Sequence, residues 1–316
     1  MRILKILKDV KRALLIGIGG GGDIVSTLAV GDFFEIFDVE CIYGGVIWER
    51  ISRDKKPGPR SVEEIRNCRI INECLAWINR NSTVDGIRLI ASQVSDFLNS
   101  EVVGIDITKG ELSLTRSLKE FVEDEDIDLV VGVDAGGDSL ARGRESGLHS
   151  PLADSIMIAS LKKLKSMIAI VGFGSDGELT RHELEMYLSE IAERDGLLGA
   201  NLISRDFAER LSGFIEEVET TASKIPIMAS MGFFGRQRVW DKAVIEVSIL
   251  NALIFYVDTS TVYELSPLPK AVEGSRSVFE ANDMLHKIGI RTELDVEFDV
   301  FRRYFQTDPD VHRTIA

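Results

Sequence analysis

Short runs of almost purely apolar residues alternate along much of the chain with longer stretches whose apolar positions recur at helical spacing. Leu14–Ile16 is the first apolar run. Asp23 to Phe37 then reads as a helix and Glu40 to Trp48 as a second strand, which makes a βαβ opening. After a less regular stretch, with weak strand signals at 74–78 and 87–91 and a helix over Ala91 to Asn99, the alternation becomes strict. Val102 to Ile107 is a strand, Leu112 to Glu125 a helix, Leu129 to Val133 a strand, Pro151 to Lys165 a helix and Met167 to Phe173 a strand. Strands without a polar face require cover on both sides, so the pattern predicts a Rossmann-like, doubly wound α/β fold with a mostly parallel sheet.

Capping signals fix where several helices begin. Ser150-Pro151 is an N-cap followed by proline at the first helical position, and Thr180-Arg-His-Glu183 and Ser61-Val-Glu-Glu64 are capping boxes, the latter predicting a helix restart. Asp134 to His149 and Gly174 to Leu179 are therefore loops leaving strand ends. Beyond residue 200 the pattern predicts helices over Ser204 to Ala222, Pro226 to Phe234 and Val278 to Lys287, and strands near Val244 to Ser248 and Leu253 to Val257. Leu294, Val296, Phe298 and Val300 alternate with Asp295, Glu297 and Asp299, which predicts an edge strand with one acidic, wet face. Residues 1–200 make up the ligand-binding core, and 201–316 complete the same compact unit or a single domain spanning 1–316. There is no internal repeat and no clear linker.

With 316 residues, 45% of them hydrophobic, the chain can bury a large core. Three cysteines, Cys41, Cys68 and Cys74, in neither an even framework nor a C-x-x-C pair, argue against disulfides and cysteine-rich zinc sites and suit a reduced cytoplasm. The basic, apolar opening is interrupted by charge and lacks a cleavage site, so it is expected to be a short surface helix. The most apolar later segment, broken by Glu246 and Asn251, falls short of the roughly 20 residues of a membrane span. A net charge of −14 opposes nucleic-acid binding. Local cations, Arg50, Arg53, Lys55, Lys56 and Arg60 in one loop and Arg142 and Arg144 in another, stand out against it.

The candidate chemistry lies in three strand-to-helix loops. Gly17, Gly19 and Gly22 have the G-x-G-x-x-G spacing, with Gly20 and Gly21 between them, and Asp23 opens the helix. Asp134-Ala-Gly-Gly-Asp138 and Gly172-Phe-Gly-Ser-Asp-Gly-Glu178 repeat the mixture of glycine and acid. In an open parallel sheet such loops share one edge, where ligands bind. Asp23, Asp134, Asp138 and Asp176 are the candidate ligands of a divalent metal, Mg²⁺ or Mn²⁺, because crowded carboxylates repel unless a hard cation joins them. Asp134, Asp138, Asp176, Glu178 and His149 are the candidate catalytic groups. Gly17 and Gly19 to Gly22, with Arg50 and Arg60, are the candidates for holding phosphate. The expected partner is a nucleotide or another small phosphorylated molecule, and the reaction phosphoryl or glycosyl transfer or hydrolysis, with homo-oligomerisation left open. Each acid also has a structural reading, as a helix cap or an Asx-turn, and His182, His286 and His312 are read as structural or exposed.

Sharper motifs fail. Gly22 is followed by Asp23 and Ile24 instead of the Lys and Ser or Thr of a P-loop, His182-Glu183 has Met186 where a zincin needs its second His, and Ser175 lacks the glycine of a nucleophile elbow. An NAD(P)-dependent oxidoreductase stays open with Glu49 as the ribose acid, although Glu49 lies farther along than the roughly 20 residues expected. A non-catalytic nucleotide-binding module or sensor is the other alternative. The set Gly19-Gly-Gly-Gly-Asp23, Pro57-Gly-Pro-Arg-Ser61, Val133-Asp-Ala-Gly-Gly-Asp138, Ser150-Pro-Leu-Ala-Asp154 and Gly172-Phe-Gly-Ser-Asp-Gly-Glu178 resembles a largely archaeal family catalogued as a domain of unknown function. The resemblance covers nearly the whole chain and implies that these loops belong together without naming a reaction.

Overall fold

The computed structural model describes residues 2–239 and 244–304; His312 lies outside them. In chain order the elements are α1 (Arg2–Lys8), β1 (Arg12–Gly17), α2 (Asp23–Glu35), β2 (Glu40–Val46), β3 (Ile65–Ile70), β4 (Leu75–Val84), β5 (Ile87–Arg88) and α3 (Ile90–Leu98). Next come β6 (Val102–Ile105), α4 (Gly110–Asp124), β7 (Leu129–Ala135), α5 (Pro151–Leu161), β8 (Ser166–Val171), α6 (Arg181–Glu193), β9 (Leu197–Leu202), α7 (Arg205–Glu217) and α8 (Lys224–Ser230). The remainder is β10 (Gly235–Arg238), β11 (Val244–Val247), β12 (Leu253–Asp258), α9 (Thr259–Leu265), α10 (Pro267–Val272), α11 (Val278–Lys287) and α12 (Glu293–Tyr304).

The main sheet is ten-stranded, in the order β3-β4-β6-β2-β1-β7-β8-β12-β9, with β5 paired to β4. Strands β6, β2, β1, β7 and β8 run parallel to one another. Antiparallel pairing begins at β4 on one side and at β12 on the other. Counted in chain order, the parallel centre has the order 3-2-1-4-5, the Rossmann arrangement, and the strand order reverses between β1 and β7. Successive residues of β1 feed two cores. Leu14 and Ile16 pack with α4 and α5 on one face, whereas Ala13 and Leu15 pack with α2 and α3 on the other. This is the doubly wound α/β fold that the apolar strands predict. The later part of the chain enters the same sheet, because β12 is inserted between β8 and β9.

Three expectations need correction. The segment around Leu294 to Val300 is not an edge strand; it lies in helix α12. Its alternation is also satisfied by helical spacing: Leu294 and Phe298, four apart, pack on the core, while Glu293 and Glu297 form a second buried stripe. The start is marked by Thr292, whose amide donates to Asp295 Oδ2 at 2.9 Å. His286 Nε2 lies 2.8 Å from the same oxygen. Second, Ser61 does form its capping box with Glu64, but the helix lasts one 3₁₀ turn and leads into β3. No apolar stripe follows that could hold a longer helix against the core. Third, the weak signal at 87–91 resolves into the two-residue β5 and the start of α3.

The joint between β1 and α2 depends on Gly17. A Cβ there would stand 2.4 Å from Ile24 N and 2.5 Å from the Asp23 carbonyl carbon, both backbone atoms with no way to step aside. Gly17→Ala is expected to lower stability by about 1–3 kcal/mol through overpacking, read as a lower midpoint in urea denaturation.

Candidate functional site

The glycine loop after β1, the loop after β7 and the loop after β8 meet at the carboxyl edge of the sheet, where the strand order reverses. They form one side of a cleft of about 560 Å³ lined by Gly19 to Gly22, Asp23, Arg50, Asp138, Ser150, Asp176 and Glu178. The opposite side comes from residues 215–224 and from Gln237, Arg238 and Val239. Of the candidates named from sequence, Asp134 is buried and does not itself line the cleft, but it is hydrogen-bonded to the loop that carries Asp138.

The acids converge. One carboxylate oxygen from each of Asp134, Asp138 and Asp176 lies within 4.8 Å of the others, the one such group of three found among the described residues. Gly136 makes this approach possible: it has φ +135°, and a Cβ on it would fall 2.1 Å from Asp176 Cγ. Asp134 accepts the Gly137 amide (3.2 Å), the Ser139 amide (3.1 Å) and the Ser139 hydroxyl. Glu178 accepts the His149 amide (2.7 Å), the Ser150 amide (3.0 Å) and the Ser150 hydroxyl (2.5 Å). Ser150 Oγ is also 3.1 Å from Asp138 Oδ2. A hydroxyl has one proton, so it cannot donate to both carboxylates at once; the second contact needs a proton on Asp138 or a cation nearby.

Electrostatics points the same way. Burial raises Asp138 well above the ordinary carboxylate range, and the charges of Asp154, Glu178, Asp134 and Asp176 raise it further. Burial also raises Asp176, with Glu178 and Asp134 adding to it. Asp23, which accepts the Gly19 amide at 3.0 Å, is raised to about 7 by burial and by Asp134. Arg50 is the cation drawn into this field. Burial alone would lower its pKa, but Glu293, Glu297, Glu178 and Asp23 more than offset that. Its guanidinium donates to Gly19 O (2.8 Å) and stacks over Trp48, 5.3 Å from the ring centre.

Other candidates sit elsewhere. Arg60 is 1% exposed and does not line the cleft. Its guanidinium is shared among Asp54 (2.6 and 2.7 Å), Glu64 (2.9 Å) and Asp85 (2.9 Å). Glu49 is likewise buried and does not itself line the cleft; it accepts the Ile90 amide at 2.8 Å and pairs with Arg53 at 2.9 Å. Arg142 stacks on Tyr187 and pairs with Glu190 at 2.6 Å. His149 contributes its backbone amide, and its ring is not among the groups that line the cleft. Gly17 serves the β1–α2 joint.

Three acids escaped the sequence reading. Asp154, in the first turn of α5, is 3% exposed beside the cluster. Glu293 accepts the Leu152 and Ala153 amides, both at 3.0 Å, and so covers the N-terminus of α5. Glu297 accepts Trp48 Nε1 (3.0 Å), the Gly58 amide (2.8 Å) and the Ile51 amide (3.2 Å), pinning the loop after β2. A signal existed for each. Asp154 is the one charge in an otherwise apolar helix pattern, and Thr292-Glu-Leu-Asp295 has the spacing of a helix start.

Fold and site together define a Rossmann-like protein with an acid-lined cleft at the carboxyl edge of its sheet. The family model described as "Protein of unknown function (DUF1152)" matches residues 14–301, and the chain belongs to that family. Neither the search of curated proteins nor that of solved structures found a match. No helix among the described residues is long and apolar enough to cross a membrane.

Two outcomes follow. Asp23 and Glu293, both raised to about 7, bind protons in the fold that the unfolded chain has already lost above its ordinary carboxylate range. The metal-free protein should therefore lose stability as pH rises from about 4 to 7 and melt higher at pH 5.5 than at pH 8; an unchanged or rising melting temperature over that window would contradict these pKa shifts. Arg60→Ala, which leaves Asp54 buried without its partner, should cost about 3–5 kcal/mol in chemical denaturation.

Proposed function

We propose that the cleft binds a divalent cation, Mg²⁺ or Mn²⁺, on Asp134, Asp138 and Asp176, and with it a small phosphorylated molecule such as a nucleotide. The observation that carries this reading is the group of three oxygens within 4.8 Å beside the glycine loop. Oxygen ligands suit these hard cations, which commonly bridge carboxylates to a phosphate. The Gly19 to Gly22 backbone at the start of α2 supplies a seat for that phosphate, and the helix dipole favours an anion there. Asp23 in the first turn would oppose a bare phosphate, and a cation between them removes the conflict. Arg50, Arg53, Lys224 and Arg238 line the same cleft and complement further ligand charge.

The chemistry this arrangement suits is phosphoryl transfer, glycosyl transfer or hydrolysis, in which the cation offsets charge that develops on oxygen. Glu178 and Asp138, bridged by Ser150, are then the groups placed to pass a proton at the ligand. The nicotinamide alternative loses its ribose acid, because Glu49 is engaged by Arg53 and the Ile90 amide.

Calorimetric titration with Mn²⁺ and then ATP provides the test. ATP binding is expected to depend on the metal, and Asp176→Asn is expected to weaken the tightest Mn²⁺ binding on the order of tenfold or more without loss of the circular-dichroism spectrum. Metal-independent binding of NAD, or unaltered Mn²⁺ binding in the variant, would overturn the reading.

A further inference from the structure

Asp154 stands apart from the other buried acids. It lies on α5, a helix whose eleven residues are all buried, and both of its carboxylate oxygens lack any hydrogen-bond partner. Glu178, Glu293, Glu297 and Asp134 each accept two or three donors and have an evident structural use. Asp154 caps nothing and holds no turn. An ionised carboxylate in such a place is costly unless it is paired or coordinates a metal.

Its surroundings are acidic. Asp154 Oδ1 is 3.5 Å, and Asp23 Oδ2 2.7 Å, from the point that a Cβ on residue 19 would occupy. The two carboxylates thus flank the bare backbone of Gly19, and Asp23 lines the same cleft as Asp138 and Asp176.

We propose that Asp154 and Asp23 hold a second divalent cation next to the first. This deepens the function proposed above and rests on it. Two carboxylates are enough, because Mg²⁺ and Mn²⁺ keep several waters and complete their shell with substrate phosphate. Paired cations would supply charge stabilisation to a phosphoryl group held between them, so the substrate class would be a phosphate ester or anhydride.

Mn²⁺ titration of the full chain, followed by electron paramagnetic resonance, tests this. The native protein is expected to bind two Mn²⁺ per chain, with the line broadening of a spin-coupled pair. Asp154→Asn and Asp138→Asn are each expected to bind one, with the six-line spectrum of an isolated ion. Since Asp154 makes no hydrogen bond, Asp154→Asn should fold, read as an unchanged circular-dichroism spectrum. One uncoupled Mn²⁺ in the native protein, lost in Asp138→Asn but retained in Asp154→Asn, overturns the second position and leaves the first. Two Mn²⁺ in Asp154→Asn overturn it as well. No Mn²⁺ bound to any form overturns both readings.

Discussion

Mutual repulsion among carboxylates gathered at the ends of β1, β7 and β8 is the constraint that the rest of the site answers. Asp23, Asp134, Asp138, Asp154, Asp176 and Glu178 come from the first turns of α2 and α5, the end of β7 and the loops after β7 and β8, and burial removes the water that would otherwise screen them. The fold meets part of this cost with local donors: the Ser139 and Ser150 hydroxyls, the amides around them, and Arg50. What those donors leave unsatisfied is concentrated at Asp154, neither of whose carboxylate oxygens has a hydrogen-bond partner.

Much of this arrangement was legible in the chain. A parallel sheet puts all its strand-to-helix loops on one edge, so the glycine and aspartate content of three separate loops was enough to bring Asp23, Asp134, Asp138, Asp176 and Glu178 together. The capping boxes at Ser61 and Thr180 and the Ser150-Pro151 pair are also observed at the starts of their helices. These signals are local or follow from topology, and both survive folding.

The failures share a physical cause. Alternation from Leu294 to Val300 fits a strand and one stripe of a helix equally well, and only tertiary contact with Trp48 and α5 decides between them. Arg60 looked like a phosphate ligand because it sits in a basic loop, yet Asp54, six residues before it, takes it into the interior. The far wall of the cleft, from residues 215–224 and β10, had no signal at all. Its polar residues read as ordinary surface until the chain folds back.

Helix α12 ties together segments that are distant in sequence. Glu297 holds the indole of Trp48 and the amides of Ile51 and Gly58, while Glu293 holds the first turn of α5. During folding, the donors at those two places must remain hydrated until residues 293–297 dock. The crevice therefore cannot dry out before this helix docks, and a chain with its sheet built but α12 unseated would carry an open, wet pocket in which the acids are still screened from one another.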